Sequence, residues 1–486
     1  MPRSRKKTAK RAVGKKPTAV VSVWMDDPAS KLGLVDRPVP DLSKPPLKFR
    51  IKGAQVPPGR YATGTPEFRF WAAAEPLRRG GDFWAPLLGV KRWEPGAVLP
   101  VSIDKGVDLN AYYDRTELAF FHEKIGATTY YSGESPDVVC HEMGHACLDA
   151  HRPQLFDAPF VEASAFHESF ADTSAILSAL QLLEVRQAML SDVAAYKPCA
   201  LSRCAEQLGE AIRIVDRPAV DPDCLRNAYN AFKYVDPQTL PDSAPATQLC
   251  AEAHSFSRVF TGAFYEILSG MLRVRSKAPK EADLAAVATD YARLLMDATA
   301  AAPVQPNYFA QVASHIIDAD TARFAGKYRS VLTGVFVKRQ IVPRSAVEVF
   351  EGARGKASSA RYRRAAVAEP PETRTHRVVL DGAQFGLASE KVLVDAPLER
   401  KPVLTVGAGL AHGQGAPAVE HATRRFVKML VAHDRIDEEA ATRRITVTDD
   451  TPRHVLRKTH VLRPTRQGMK LSRRWFHCAC GLPFRD

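Results

Sequence analysis

The sequence predicts an α+β fold: a β-rich lobe, then a helical lobe, then a linker and a small additional α+β domain. Short β-like runs dominate up to residue 131, and apolar residues at three- and four-residue spacing fill 136–342. A small, polar, Pro-paired stretch (GARGKASSARYRRAAVAEPPETRTH) then separates these from further strand-like runs. With 486 residues, 45% hydrophobic and 25% charged, the chain has length for two or three domains and for a large core without disulfide staples.

Residues 1–45 read as a basic tail and a Pro-rich lead-in (RPVPDLSKPPL), expected to be flexible. Residues 46–150 form the β-rich lobe, through KFRIKGAQV, AVLPVSI, ELAFF and ATTYY, with one amphipathic stretch, EFRFWAAAEPLRRGGDFWAPLLG. Residues 151–345 form the helical lobe, 346–375 the linker, and 376–486 the small α+β domain, with HRVVLDG, KVLVDAPL, KPVLTVG and RRITVTDD as strands and VEHATRRFVKMLVAHDRI as a helix.

The net charge of +14 suggests a nucleic-acid protein until it is located. Residues 1–17 hold eight Lys/Arg and no acid, and 453–474 hold another eight and no acid, so the body between sums to about −2. The basic ends could meet nucleic acid or an anionic surface, but no aromatic interleaving or known module supports it. No apolar run is long enough to span a membrane. The charged N-terminus lacks the apolar region of a secretory signal, and the eight scattered cysteines suit reduced, buried thiols. Both favour the cytoplasm, with export by a route that leaves no cleavable signal still open.

The chemistry concentrates at 137–172. In DVVCHEMGHACLD, His141 and His145 are four residues apart, about 40° around a helix, so both imidazoles leave one face. That suits two nitrogen ligands of one zinc, with Glu142 beside them in reach of a water on the metal. A catalytic zinc takes a third protein ligand. His151 reproduces a three-histidine spacing but lies about 80° off the ligand face of a continuous helix, and Leu148 stands where a glycine turn would be required. Glu168, in AFHESFADTSAIL, is the other candidate and the favoured one. It shares a helix face with Asp172, which can accept a hydrogen bond from a ligand imidazole. The two prolines of RPQLFDAP let the chain return between these helices.

These residues resemble the thermolysin-like zinc metallopeptidases (gluzincins, HExxH…E). The likeness runs through NAYYDRTELAFF, DVVCHEMGHACLD, HESFAD, LRNAYNAFKYVDP and EAHSFSRVFTGAFYEIL, in family order, over roughly 65–275. The resemblance implies a thermolysin-like zincin fold and a zinc endopeptidase with one catalytic Zn2+, acting on peptides or proteins. His141, His145 and Glu168 would bind zinc, Glu142 would be the general base, and Asp172 would orient His141. His254 would stabilise the oxyanion. Asn110 and the Ala111 backbone would hold substrate as an added strand. Arg226 would contact a substrate carbonyl, and Val138 and Leu225 would wall a pocket for an apolar residue after the scissile bond.

The chain departs from the family pattern at three places. His167 replaces the usual Asn before the glutamate ligand, 150–167 holds no Tyr for the oxyanion, and the acidic partners that Asp137 would need for calcium are absent after Glu168, so calcium is not predicted. Cys140 and Cys147 read as buried apolar residues facing away from the metal. His477, Cys478 and Cys480 form HCAC, whose use as a second metal site would need a further ligand such as His454 or His460. The alternative to an enzyme is a zincin-fold binding or structural protein that works through its basic tails and C-terminal domain.

Overall fold

The computed structural model describes residues 19–89, 92–343, 374–398, 415–439, 447 and 451–478 of a mixed α+β chain. Nearly all of the expected linker, the basic residues 1–17, the KPVLTVG run and Cys480 lie outside the described residues.

The lead-in read as a flexible tail is instead built into the body. Strand β1 (Val20–Trp24) pairs antiparallel with β2 (Leu34–Pro38). Val21 and Val23 alternate inward and are fully buried, and Trp24 packs edge-on to Phe68 with ring centroids 6.1 Å apart. Period-two burial of VVSVW outweighs the prolines that follow it.

Helix α1 (Pro66–Leu88) starts where the Thr65 hydroxyl accepts a bond from the Phe68 amide, with proline at its first position, and ends at Gly89 in the left-handed region (φ 68°). Strands β3 (Phe49–Ile51), β4 (Leu99–Ser102), β5 (Ala111–Tyr113) and β6 (Leu118–Phe120) form a sheet beside it, and β7 (His122–Ile125) and β8 (Thr128–Tyr131) form a separate hairpin.

The helical part follows: α2 (Pro136–His151), α3 (Val161–Ala179), α4 (Leu183–Ala194), α5 (Glu206–Val215), α6 (Ala253–Arg275), α7 (Glu281–Ala301), α8 (Tyr308–Phe324) and α9 (Arg329–Lys338). Two short strands, β9 (Arg203–Cys204) and β10 (Arg226–Asn227), pair between α4 and α6. Helix α3 packs against both α2 and α6, and all three are buried over most of their lengths.

Beyond residue 373, β11 (Arg374–Asp381), β12 (Lys391–Leu398), α10 (Ala416–Ala432), β13 (Ile436–Asp437), β14 (His460–Thr465) and β15 (Gly468–Arg473) make a second α+β layer, sheet order β11-β12-β15-β14-β13. The last strand, β16 (Phe476–His477), leaves that sheet. It joins the first sheet beside β5, giving the order β16-β5-β6-β4-β3. The C-terminal layer also docks through α10. The Arg425 guanidinium donates to the carbonyls of Pro237 (2.9 Å) and Leu240 (2.7 Å), and His433 Nε2 lies 2.7 Å from the Asp242 carbonyl.

Asp26 and Asp27, after β1, are buried beside Asp137 of α2 and Glu206 of α5. Burial, with Asp27 next to it, pushes the Asp26 carboxyl up to about 7, against the pull of Asp137 and Arg79. Burial, Asp26 and Asp27 push Glu206 up to about 8, against Arg203. These groups keep protons in the folded chain that the unfolded chain releases. Their contribution is therefore complete below about pH 4 and is lost as pH rises through about 7–8. The melting temperature should fall over that interval, and Asp26→Asn should make the fall shallower. Parallel melting profiles for the two chains would refute this reading.

Candidate metal centre

Helix α2 is fixed at both ends. Its N-cap, Ser135, accepts from the Val138 amide (3.3 Å) and donates its hydroxyl proton to Asp27 (2.7 Å), so the N-terminal hairpin supports the helix. Near its C-terminus, Asp149 accepts from the Tyr113 hydroxyl (2.9 Å) and from the Arg115 guanidinium (2.6 and 2.8 Å), which ties α2 to β5. Against α3 the approach is so close that a Cβ on Gly144 would sit 2.7 Å from Ser174 Cβ and 2.8 Å from Ala171 Cα. Only glycine lets the two backbones come this near.

That approach brings side chains of α2 and α3 to one point. Glu168 Oε2 lies 3.3 Å from His141 Nε2 and 3.6 Å from His145 Nε2, and all three residues are buried. Neither imidazole Nε2 makes a hydrogen bond. Donors about 2 Å from a shared tetrahedral zinc stand roughly 3.3 Å apart, so two imidazoles and a carboxylate at these separations fit that ion.

The second tier is equally buried. Asp172 Oδ1 lies 3.0 Å from His141 Nδ1 and accepts from Arg226 (2.8 Å) and from the Cys204 thiol (3.3 Å). His145 Nδ1 lies 2.8 Å from Nδ1 of His167, so the residue standing in place of the family's Asn does face a ligand candidate. Burial opposes charge on His141, but Asp172 and Glu168 overcome it and raise its pKa to about 9. Burial also opposes charge on Glu168, yet the imidazoles of His254 and His145 hold its carboxyl well below the usual range. Burial raises Glu142 to about 7.

His254 stands at the N-terminus of α6. Its Nδ1 lies 2.9 Å from Glu252 Oε1, and its Nε2 lies 2.9 Å from Glu168 Oε2 and 2.9 Å from the His477 carbonyl oxygen. Asn110 is buried at the entry to β5, where its side-chain oxygen accepts from the Ala111 amide (2.9 Å). Leu225, Arg226 and His254 line one cavity of about 370 Å3 at the junction with the C-terminal layer. Val138 lines a different, much smaller pocket with Asn110. Val138, in α2, and Leu225, just before β10, thus line these two different cavities. His151 is remote from the centre, with Nε2 3.0 Å from the Met296 carbonyl. Cys140 and Cys147 are buried outside the groups of side chains able to share an ion.

Four participants escaped sequence reasoning. Cys204 reaches Asp172 from β9. Phe476 stacks on His145 and His167, with ring centroids 4.8 and 4.0 Å apart. The His477 carbonyl meets His254, and the Cys478 thiol donates to Glu142 Oε1 at 3.0 Å. Burial and then Glu142 push that thiol well above its usual pKa. The HCAC run was visible as a metal-type motif, but no local periodicity connects it to a helix 336 residues earlier. The acids around Asp137 likewise come from Asp26, Asp27 and Glu206 rather than from the segment after Glu168.

Gly144→Ala tests the helix contact. In an open helix the change would gain about 1 kcal/mol of propensity. Here overpacking should cost about 1–3 kcal/mol and lower zinc affinity on the order of tenfold. Denaturant midpoints and chelator competition measure both, and unchanged affinity would show that the α2–α3 spacing does not set the centre.

No family model and no curated protein matches the sequence. Among solved structures, the chain is similar to the precursor of protealysin, a metalloproteinase from Serratia proteamaculans. The TM-score is 0.39 at 16% identity, over 68% of this chain and 91% of that one.

Proposed function

We propose that the chain is a zinc-dependent endopeptidase. The observation that carries the reading is the buried meeting of His141, His145 and Glu168, with the Glu142 carboxylate beside them. Zinc held by those three groups would supply Lewis acidity toward a water and toward the scissile carbonyl.

The remaining work belongs to side chains of the protein. Glu142 is oriented by α2 toward the same space as His141, and its Oε2 is buried without a hydrogen bond. It takes the proton of the attacking water and passes it to the departing amine. His254 is pinned through Nδ1 by Glu252, so Nε2 is aimed to donate to the oxygen that gains charge; one such donor is typically worth ~3–4 kcal/mol. The edge of β5 receives the peptide as an added antiparallel strand, with the Ala111 carbonyl as acceptor. Asp172 holds Arg226 by two bonds (2.8 and 3.2 Å) at the wall of the larger cavity, where the guanidinium can meet a substrate carbonyl. Leu225 beside it supports an apolar preference on that side. Asp172 also fixes His141.

The proposal is tested with Cys478→Ala, which frees Glu142 of the thiol, beside the double variant Cys478→Ala/Glu142→Gln. Both should bind one zinc per chain. The single variant should cleave internal bonds of a peptide library, and the double variant should lose roughly 10²-fold or more of that rate, the scale of a general acid–base contribution. A chelator should abolish the activity and zinc should restore it. One bound zinc with no cleavage of any library peptide would refute the peptidase assignment.

A further inference from the structure

We propose that residues 476–478 are an inhibitor built into the chain, seated in the substrate's place and released when the C-terminal strand leaves β5. The inference rests on the peptidase reading and adds its regulation.

The geometry is that of a bound peptide. Strand β16 pairs antiparallel with β5, Phe476 opposite Tyr113 and His477 opposite Tyr112, and the Cys478 amide donates to the Ala111 carbonyl at 3.0 Å. An extended peptide that adds to a sheet edge makes this same ladder. The His477 carbonyl oxygen sits 2.9 Å from His254 Nε2, the atom assigned to the oxyanion. The peptide bond joining His477 to Cys478 therefore lies where a scissile bond would lie.

The side chains explain why this segment blocks the site rather than reacting. The Cys478 thiol donates to Glu142 Oε1, which occupies the carboxylate that a water must reach. His141, Glu142 and Cys478 place one ligand-type atom each within 4.8 Å of one another, so the sulfur sits beside the base and the first imidazole. Phe476 lies flat over His145 and His167 and closes that side to solvent.

The strand is also anchored from outside the centre. Trp475 stacks on Tyr112 (5.3 Å), and Arg473 donates to the Phe156 carbonyl (2.7 Å) and the Ser164 hydroxyl (2.7 Å). A tethered segment faces its site at an effective concentration of order mM, so even a strand of modest intrinsic affinity keeps the cleft filled.

The test uses the full zinc-loaded chain beside Cys478→Ala, which removes the thiol that holds the strand to Glu142, and Phe476→Asp, which sets a charge against two buried rings. Turnover of a fluorogenic peptide should be low in the wild type and roughly 10²-fold higher in the variants, in line with that effective concentration. Alkylation of Cys478 by iodoacetamide under native conditions, mapped by mass spectrometry, gives a readout apart from activity. It should be slow in the wild type and on the order of tenfold faster or more in Phe476→Asp. A wild type as active as both variants overturns the inhibition while leaving the peptidase intact. So does native Cys478 that alkylates as fast as an exposed thiol. Loss of the mass beyond His477 on zinc addition makes the strand a substrate and also overturns it. If Cys478 is shielded and released as stated but no form cleaves any peptide, the peptidase reading fails and the inhibition with it.

Discussion

The close contact of α2 with α3 is the constraint on which the site depends. It places a carboxylate within about 3.6 Å of two imidazoles, all three side chains buried. Removing an ion from water costs several kcal/mol even after relaxation, so a buried carboxylate in such a place needs positive charge opposite it. Glu168 is compensated by the neighbouring histidines and Asp172 by Arg226 and His141. The protein has assembled acceptors toward one point and cations behind them, a distribution that makes physical sense around a divalent ion.

A peptide-binding edge carries a second constraint. An exposed strand edge presents unpaired amides and carbonyls that pair with any extended segment offered to them. On the proposed reading strand β5 would have to stay regular to guide a substrate, which leaves no room for a bulge or a proline. In this chain β16 covers it with antiparallel backbone pairing. Under that reading, recognition of substrate and protection of the edge would be one interaction with two occupants.

What could be read from the sequence was what a single helix decides for itself. The i, i+4 spacing of His141 with His145, and of Glu168 with Asp172, fixes which side chains share a face before any packing occurs. The leaning toward Glu168 over His151 followed from the same angular argument, and His151 is held at the Met296 carbonyl instead. The hairpin at residues 20–38 was hidden because prolines dominate its surroundings while only two valines point inward. Asp26 beside Asp137, Cys204 on Asp172 and Cys478 on Glu142 are contacts across long stretches of chain. Tertiary topology decides those, and periodicity carries no information about them.

The parts that build the centre and the part that covers it are separable. All three candidate ligands, the base and Asp172 come from residues 141–172, and α2 is secured by Asp27 at one end and by Tyr113 and Arg115 at the other. None of those anchors comes from the C-terminal layer. Among the described residues after 373, Arg425, His433 and Arg473 grip the body, and the last strand reaches the centre. In the proposed release, displacing that strand would take a carbonyl from His254, a thiol from Glu142 and the Phe476 ring from His145 and His167, while the anchors of α2 stay in place. A centre that depended on its cover for alignment would lose its geometry on opening. This one has supports outside the departing strand, Asp27 of the N-terminal hairpin at one end of α2 and Tyr113 with Arg115 at the other.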